Sequence, residues 1–192
     1  MRRIPRLPPS YPRRGNGFSR LLGYSVFAAA GWRFEGEFPD RAKLVTIVEP
    51  HTSNWDFVIG IAAVLALGLR VRFLGKDSLF KGPLGWLMRW FGGTPVIRES
   101  PQGAVEQTVA VIEREAAVFL AITPKGTRTR GVPWRSGFYH IAHAARVPIL
   151  PVAFDGEHRV IRLFPPFETS GNYDADLPRL MALYAGIRGI KA

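Results

Sequence analysis

A strand, a turn and a helix follow one another in the stretch Leu44-Val45-Thr46-Ile47-Val48-Glu49-Pro50-His51-Thr52-Ser53-Asn54-Trp55-Asp56-Phe57. The apolar and β-branched run 44–48 is typical of a buried strand, and the apolar run 57–69 predicts a helix. His51 therefore lies in the connecting turn, and Asp56 lies in the first helical turn, close enough to reach back. Turns of this kind bring side chains to the end of a strand, where α/β proteins bind ligands.

His51 and Asp56, with four residues between them, form a candidate general base. An aspartate bonded to one imidazole nitrogen fixes the tautomer and leaves the other nitrogen free to take a proton from a hydroxyl. The pair supplies no nucleophile of its own. A structural alternative uses the same residues, because Ser53 and Asp56 match a capping box at a helix start, with Asn54 as a second candidate cap.

A basic loop, Thr123-Pro124-Lys125-Gly126-Thr127-Arg128-Thr129-Arg130, follows a second apolar run of strand character at 117–122. Gly126 lets the backbone approach an anion closely, while Lys125, Arg128 and Arg130 add charge and donors. The loop predicts an anion site at the carboxyl end of a strand, with a solvated basic turn as the alternative.

Two further segments complete an ordered set of four. Gly92-Gly93-Thr94-Pro95-Val96-Ile97-Arg98 is a glycine turn leading into a short strand that ends at Arg98, either a phosphate ligand or an ordinary surface arginine. Val147-Pro148-Ile149-Leu150-Pro151-Val152 is apolar with two prolines. Because proline donates no ladder hydrogen bond, we predict this run at a strand start or a sheet edge.

Strands and helices alternate along the chain, which predicts a single α/β domain with a mostly parallel sheet flanked by helices. Strands are predicted at 43–48, 70–74, 95–98, 117–122, 148–154 and 159–164. Helices are predicted at 18–31, 55–67, 79–91, 102–115, 135–145 and 174–187. The stretch 79–91 is rich in large apolar side chains, which suits an acyl-chain tunnel, a membrane contact or plain core.

The charge of +11 indicates an anionic partner, either nucleic acid or an acidic lipid surface. Six arginines and no acid lie in the first twenty residues, so we predict 1–17 to be a disordered or membrane-surface segment ahead of a domain at 18–192. The apolar stretch from Phe18 to Trp32 is too short to span a bilayer. It predicts an interfacial helix, with packing on the core as the alternative, and Tyr24 and Ser25 disfavour a secretory signal.

The absence of cysteine excludes a thiol nucleophile, an acyl-cysteine intermediate and cysteine-bound zinc. His140 and His143 have the spacing of one helix face, but no carboxylate lies nearby in sequence to complete a metal site. We therefore predict no metal.

The four segments, in this order, resemble those of the lysophospholipid acyltransferase superfamily of the bacterial phospholipid-synthesis type, that is, 1-acyl-sn-glycerol-3-phosphate acyltransferase-like proteins. His51-x4-Asp56 matches the first motif, Gly93 with Arg98 the second, Gly126-Thr127-Arg128 the third, and Val147-Pro148-x-x-Pro151 the fourth. The resemblance covers about 44–155. One departure is clear: the third motif usually reads Pro-Glu-Gly-Thr-Arg, and Lys125 replaces the acid.

The resemblance implies a glycerolipid-acyltransferase-like fold and transfer of a fatty acyl group from acyl-CoA or acyl carrier protein to a lysolipid hydroxyl. It implies His51 as base and Asp56 as its orienting partner, with no cofactor beyond the co-substrate. Arg98, Lys125, Gly126, Thr127 and Arg128 would bind substrate. The expected location is the cytoplasmic side of the cell membrane, held peripherally on an anionic surface.

Three alternatives stay open. A nucleic-acid-binding protein would explain the charge, but no motif of that class is present and His51 would have no role. A lipid-binding relative without activity would have no need of the intact pair. Lys125 would also suit a different acceptor, such as a lyso-aminolipid, because it reverses a charge at the expected acceptor site.

Overall fold

A computed structural model of the chain describes residues 4–96, 101–129 and 131–190. It confirms the predicted α/β class, with helices on both faces of one mostly parallel sheet. The strands are β1 (Arg33–Glu35), β2 (Lys43–Glu49), β3 (Val71–Lys76), β4 (Gly93–Val96), β5 (Val118–Ile122), β6 (Ile149–Asp155) and β7 (Val160–Leu163). The α-helices are α1 (Gly17–Ala29), α2 (Asn54–Leu67), α3 (Gly82–Trp90), α4 (Pro101–Arg114), α5 (Gly137–Ala144) and α6 (Tyr173–Ala182), with a 3₁₀ turn at Asp77–Phe80.

The sheet has the order β1-β7-β6-β2-β5-β3-β4. Thr46 of β2 is in register with Leu150 of β6 on one side and Ala121 of β5 on the other, both in parallel pairs. Because β2 and β5 are parallel neighbours, their carboxyl ends meet at one edge of the sheet. The turn that contains His51 and the basic loop that contains Arg128 are thereby brought together.

Alternate residues of the central strands enter two separate cores. Leu44 and Phe119 pack under α1 and α2, whereas Val45 and Leu120 pack under α4, α5 and α6. This alternation is the period-2 pattern of a strand that is covered on both faces. It explains why residues 44–48 of β2 form an apolar and β-branched run instead of alternating between apolar and charged residues.

Helix α1 packs on α2 through Gly23. A β-carbon at position 23 would lie 2.6 Å from the backbone nitrogen of Ala66 and 2.7 Å from the carbonyl oxygen of Ala62, so only glycine allows this close approach. Phe27, on the same side of α1, is fully buried. The opposite side of α1 faces solvent.

The described part of the arginine-rich amino-terminal segment lies along the core that α1 and α2 cover. Leu7 and Tyr11 are buried there, and the backbone N–H of Arg14 donates to the carbonyl oxygen of Gly68 at 2.9 Å. We call residues 4–16 the amino-terminal strap. It places several arginines beside the carboxyl end of α2.

Several features differ from the sequence prediction, among them the end of α6, which lies at Ala182 rather than at 187, and the start of β4, which lies at Gly93 rather than at 95. Strand β1 was missed because three residues carry too little pattern to be recognised. The run 147–152 was predicted at a strand start or a sheet edge: it does contain the start of β6 at Ile149, but β6 is an interior strand and Pro151 lies inside it. Pro151 has no backbone N–H, and it is tolerated because β7 ends at Leu163, so no strand residue opposite Pro151 requires a donor from it. The carbonyl oxygen of Pro151 accepts a hydrogen bond from the N–H of Phe164 at 3.0 Å.

Candidate active site

The His–Asp pair forms at the turn between β2 and α2. His51 Nδ1 lies 3.0 Å from Asp56 Oδ2, and the side chains of His51 and Asp56 are 19% and 2% exposed. Asp56 is therefore shielded from water while the imidazole remains accessible. The two residues are placed as the sequence predicts, one in the turn and one in the first turn of α2.

The same carboxylate caps the helix. Asp56 Oδ2 accepts the backbone N–H of Thr52 at 2.6 Å and that of Ser53 at 2.8 Å, and the Ser53 side chain accepts from the N–H of Trp55. The helix cap and the contact with His51 are thus both made by one side chain. Three donors on one oxygen hold Asp56 in a single orientation, and with it the ring of His51.

Arg128 contacts the other side of the imidazole. Its Nε donates to His51 Nε2 at 3.3 Å, and its Nη1 donates to Asn54 Oδ1 at 2.5 Å. A guanidinium can only donate, so Nε2 is the unprotonated nitrogen and the proton lies on Nδ1, facing Asp56. This is the tautomer that a general base needs.

Lys125 forms an ion pair with Glu49. Its Nζ lies 3.2 Å from Glu49 Oε2, and the two side chains are 26% and 4% exposed. Burial raises the pKa of the Glu49 carboxyl, and Lys125, followed by His51, opposes that rise. The positive charge that replaces the usual acid of the third motif is therefore matched by a buried acid at the end of β2.

The rest of the basic loop is tightly turned. Gly126 has φ of +63°, a left-handed conformation that favours glycine, and its N–H donates to the carbonyl oxygen of Thr123 at 2.9 Å. The hydroxyls of Thr127 and Thr129 lie 3.1 Å apart. Arg98 and Arg130, both expected near the anion, lie outside the described residues.

Two residues of the site escaped the sequence prediction as site residues. Glu49 was placed in the turn after the predicted strand 43–48 and given no role, although an acid directly after a buried strand needs a cation nearby and so offered a signal. Asn54 was read only as a cap, whereas it anchors Arg128. The carbonyl oxygen of Ile190 also accepts from Thr52 Oγ1 at 2.8 Å, a long-range contact that no local pattern predicts.

Large apolar side chains are exposed on the elements next to the site. Trp55 of α2 is 58% exposed and Trp86 of α3 is 68% exposed. In the described part of the chain no helix has both the length and the apolar character needed to cross a bilayer. Nor do its histidines and carboxylates gather in a group of three or more that would suit a metal ion.

The site thus consists of a buried carboxylate that orients an accessible imidazole, next to a cationic loop at the carboxyl ends of two parallel strands of an α/β protein. A family model described as Acyltransferase matches residues 33–155. The chain belongs to this acyltransferase family.

Several relatives carry the same activity in their names. The chain is 28% identical, over 87% of its length and 75% of the relative's, to the 1-acyl-sn-glycerol-3-phosphate acyltransferase of Haemophilus influenzae. It is also 28% identical, over 58% of its length, to a chloroplastic 1-acyl-sn-glycerol-3-phosphate acyltransferase of Brassica napus, of which it spans 34%. The crystal structure of the 1-acyl-sn-glycerophosphate (LPA) acyltransferase PlsC from Thermotoga maritima superposes with a TM-score of 0.58 at 17% identity. That match covers 89% of this chain and 80% of that one, and it supports the fold.

Proposed function

We propose that the protein transfers a fatty acyl group from a thioester donor, acyl-CoA or acyl carrier protein, to the hydroxyl of a lysophospholipid of the 1-acyl-sn-glycerol-3-phosphate type. The observation that carries this proposal is the imidazole of His51, which is held by Asp56 on one side and lies against Arg128 on the other. The names of the relatives point to the same reaction.

The chemistry needs one base and no covalent enzyme intermediate. His51 Nε2 takes the proton of the acceptor hydroxyl as its oxygen attacks the thioester carbonyl. Asp56 stabilises the imidazolium that forms. When the tetrahedral intermediate collapses, the carbon–sulfur bond breaks and the leaving thiolate takes the proton from His51, so the products are the diacyl lipid and the free thiol.

Arg128 links acceptor binding to the base. Nε2 of His51 has one lone pair, so the acceptor hydroxyl must replace Arg128 Nε as its donor. A phosphate bound by Arg128 would draw the guanidinium away while keeping it within reach of the imidazole. The guanidinium of Arg128 would then position the acceptor phosphate, and the neighbouring imidazole of His51 would position the reacting hydroxyl.

The Glu49–Lys125 pair bears on the identity of the acceptor. Because Lys125 is neutralised within the chain, the charge reversal that separates this loop from the usual motif does not add a free cation to the site. Arg128 is left as the loop's phosphate ligand among the described residues. This favours a phosphate-bearing acceptor over a lyso-aminolipid.

The protein would act at a membrane surface. Large apolar side chains are exposed along α1 and on the helices α2 and α3, and we refer to them together as the apolar face: Phe18, Leu21, Leu22, Trp55, Trp86 and Trp90. Arg14 stacks on Trp90 at 4.4 Å, which joins the strap to α3. The net charge of the chain, +11, suits the anionic, cytoplasmic side of the cell membrane, and the arginine-rich segment 1–17 would face that surface while its Leu7 and Tyr11 pack on the 18–192 domain.

The double substitution Leu21→Ser with Leu22→Ser is expected to lower partitioning onto phospholipid vesicles by about 30-fold. The two leucines are 64% and 50% exposed, and each contributes about 1 kcal/mol when it enters a bilayer interface. Vesicle sedimentation measures the effect, and Met181→Ser on α6, which is 49% exposed, serves as a control outside the apolar face. Equal partitioning of all three proteins would show that α1 does not enter the bilayer.

Arg128→Ala is expected to raise KM for the acceptor by about 10- to 100-fold, because a charge-assisted hydrogen bond contributes about 1.5–3 kcal/mol. Arg128→Lys keeps the positive charge but loses the paired donors of the planar guanidinium, so its affinity for the acceptor should lie between those of Arg128→Ala and the wild type. Initial rates over a range of acceptor concentrations separate KM from kcat. A fall in kcat with no change in KM would contradict acceptor binding by Arg128.

The function itself is tested by transfer of a labelled acyl group from acyl-CoA and from acyl carrier protein to a panel of lysolipids on mixed anionic vesicles. We expect transfer to a lysophospholipid with a phosphomonoester. Transfer only to a lyso-aminolipid would overturn the phosphate interpretation of Arg128. Transfer to no acceptor from either donor would overturn the proposed reaction.

A further inference from the structure

A second cationic site lies away from the His–Asp pair. The strap, α1 and the carboxyl end of α2 border a cavity of about 810 Å³ that is open to solvent. That volume falls within the range of about 300–1,000 Å³ that is usual for small-molecule sites. Four arginines, Arg6, Arg13, Arg14 and Arg20, contribute to its lining.

These arginines are not neutralised by the protein. None of them forms an ion pair with a carboxylate in residues 4–96, 101–129 or 131–190. Arg13 has a structural role, since its Nη2 donates to the carbonyl oxygen of Leu7 at 2.7 Å and holds the strap in place. Arg14 is stacked on Trp90. Arg6 and Arg20, both exposed, are left as the cationic groups available to an anion.

The remaining lining of the cavity is apolar and continues onto the apolar face. Leu21 and Tyr24 of α1 line the cavity and are also 64% and 45% exposed to solvent. Leu21 therefore belongs to both the cavity wall and the apolar face that we propose to enter the bilayer. A ligand with an anionic head in the cavity could extend its apolar part along α1 into the lipid.

The cavity is distinct from the acceptor site. Ala66, Leu67 and Gly68 line it at the carboxyl end of α2, whereas His51 and Asp56 lie at the amino end. A helix of 14 residues is about 20 Å long. A headgroup held by Arg6 and Arg20 is thus too far away to be acylated.

We infer that the cavity between the strap, α1 and α2 is a non-catalytic site for the phosphate headgroup of an anionic membrane phospholipid. The lipid remains in the bilayer while its phosphate contacts Arg6 and Arg20. Such a site would fix the orientation of α1 on anionic membranes. It would be occupied whether or not acyl transfer takes place.

The double substitution Arg6→Gln with Arg20→Gln tests the site. We expect it to weaken binding to phosphatidylcholine vesicles that contain phosphatidylglycerol by about 10- to 30-fold, while binding to pure phosphatidylcholine is unchanged. Arg114→Gln with Arg146→Gln removes the same charge from α4 and from the residue that follows the α5 C-cap, on the other face of the sheet, and should lose less than about 3-fold. All four arginines are exposed and without ion pairs in the described residues, so the variants should fold.

Soluble ligands distinguish a lipid headgroup from free phosphate. Short-chain phosphatidylglycerol should raise the Tm of the wild type and of the control pair but not that of the cavity pair, whereas inorganic phosphate should raise none. Equal losses of vesicle binding in the two double variants would overturn the inference, because the arginines would then act through net charge alone. Equal stabilisation by inorganic phosphate would overturn the lipid as the ligand.

The catalytically impaired His51→Ala protein separates this inference from the proposed function. It should bind phosphatidylglycerol vesicles as the wild type does. Loss of vesicle binding in that variant would overturn the placement of the headgroup site away from the catalytic pair.

Discussion

His51→Ala is expected to lower acyl transfer by about 10²–10⁴-fold, the range that a positioned general base contributes. The residual rate would come from donor and acceptor binding, which the substitution leaves in place. Steady-state transfer from the donor found active in the lysolipid panel measures the loss. Because Asp56 keeps its bonds to the N–H groups of Thr52 and Ser53, the start of α2 should remain intact.

His140→Ala is the matched control for this variant. It removes an exposed imidazole from α5, on the other face of the sheet, and should leave turnover within about 2-fold, as expected for a surface substitution. Unchanged unfolding curves for both variants would show that lost activity is not lost fold. Wild-type turnover in His51→Ala would rule out His51 as the base.

Much of the fold could be predicted because the central strands are continuous apolar runs and the helices have clear ends. The prediction for β2 ended one residue short of its observed end, and that for α2 began one residue late. The N-cap Ser53 and the C-cap Gly68 of α2, the latter with φ of +64°, are both local sequence signals for the ends of a helix. Strand β1 and the interior position of Pro151 depend on pairing partners far away in sequence, which local patterns do not encode.

The site could be predicted in part for the same reason. His51 and Asp56 form a local pair, so their spacing predicted their contact. The contact between Arg128 and His51 spans 77 residues and arises because β2 and β5 are parallel neighbours. The sequence predicted that both loops follow strands, but it carried no information on which strands are adjacent.

Lys125 shows how a single departure from a motif can be misread without its partner. From the sequence, it reversed the charge of the expected acceptor site. In the structure Glu49, at the end of β2, compensates for it at 3.2 Å. The two residues are 76 positions apart, and only the pairing of β2 with β5 makes them neighbours.

Lys125→Met is expected to lower the free energy of unfolding by about 3 kcal/mol at pH 8, because it leaves the carboxylate of Glu49 buried and unpaired. Removing one partner of a buried ion pair usually costs about 3–5 kcal/mol. We expect the low end of that range because Lys125 is 26% exposed. Burial already raises the pKa of Glu49 above its ordinary value of 4.5, and Lys125 is the largest opposing influence. Removing Lys125 therefore raises that pKa further.

The sign of the pH dependence follows from the direction of this shift. A carboxyl whose pKa is higher in the folded than in the unfolded state binds more protons when folded, so stability falls as pH rises from about 4.5 through the folded pKa. The loss of stability in the variant should thus be smaller at pH 5 than at pH 8, because a raised pKa leaves a larger fraction of Glu49 protonated at the lower pH. Urea unfolding at the two pH values measures the difference.

Two further substitutions identify the pair as the cause. Glu49→Gln combined with Lys125→Met removes both charges and should recover stability at pH 8 to within about 1 kcal/mol of the wild type. Lys125→Glu restores the acid that the third motif usually carries, a change that would ordinarily be stabilising. Here it places a second carboxylate against buried Glu49, so we expect it to be more destabilising than Lys125→Met at pH 8. Equal losses at pH 5 and pH 8, or a double variant as unstable as Lys125→Met, would contradict the pairing, because neither result would depend on the charge of Glu49.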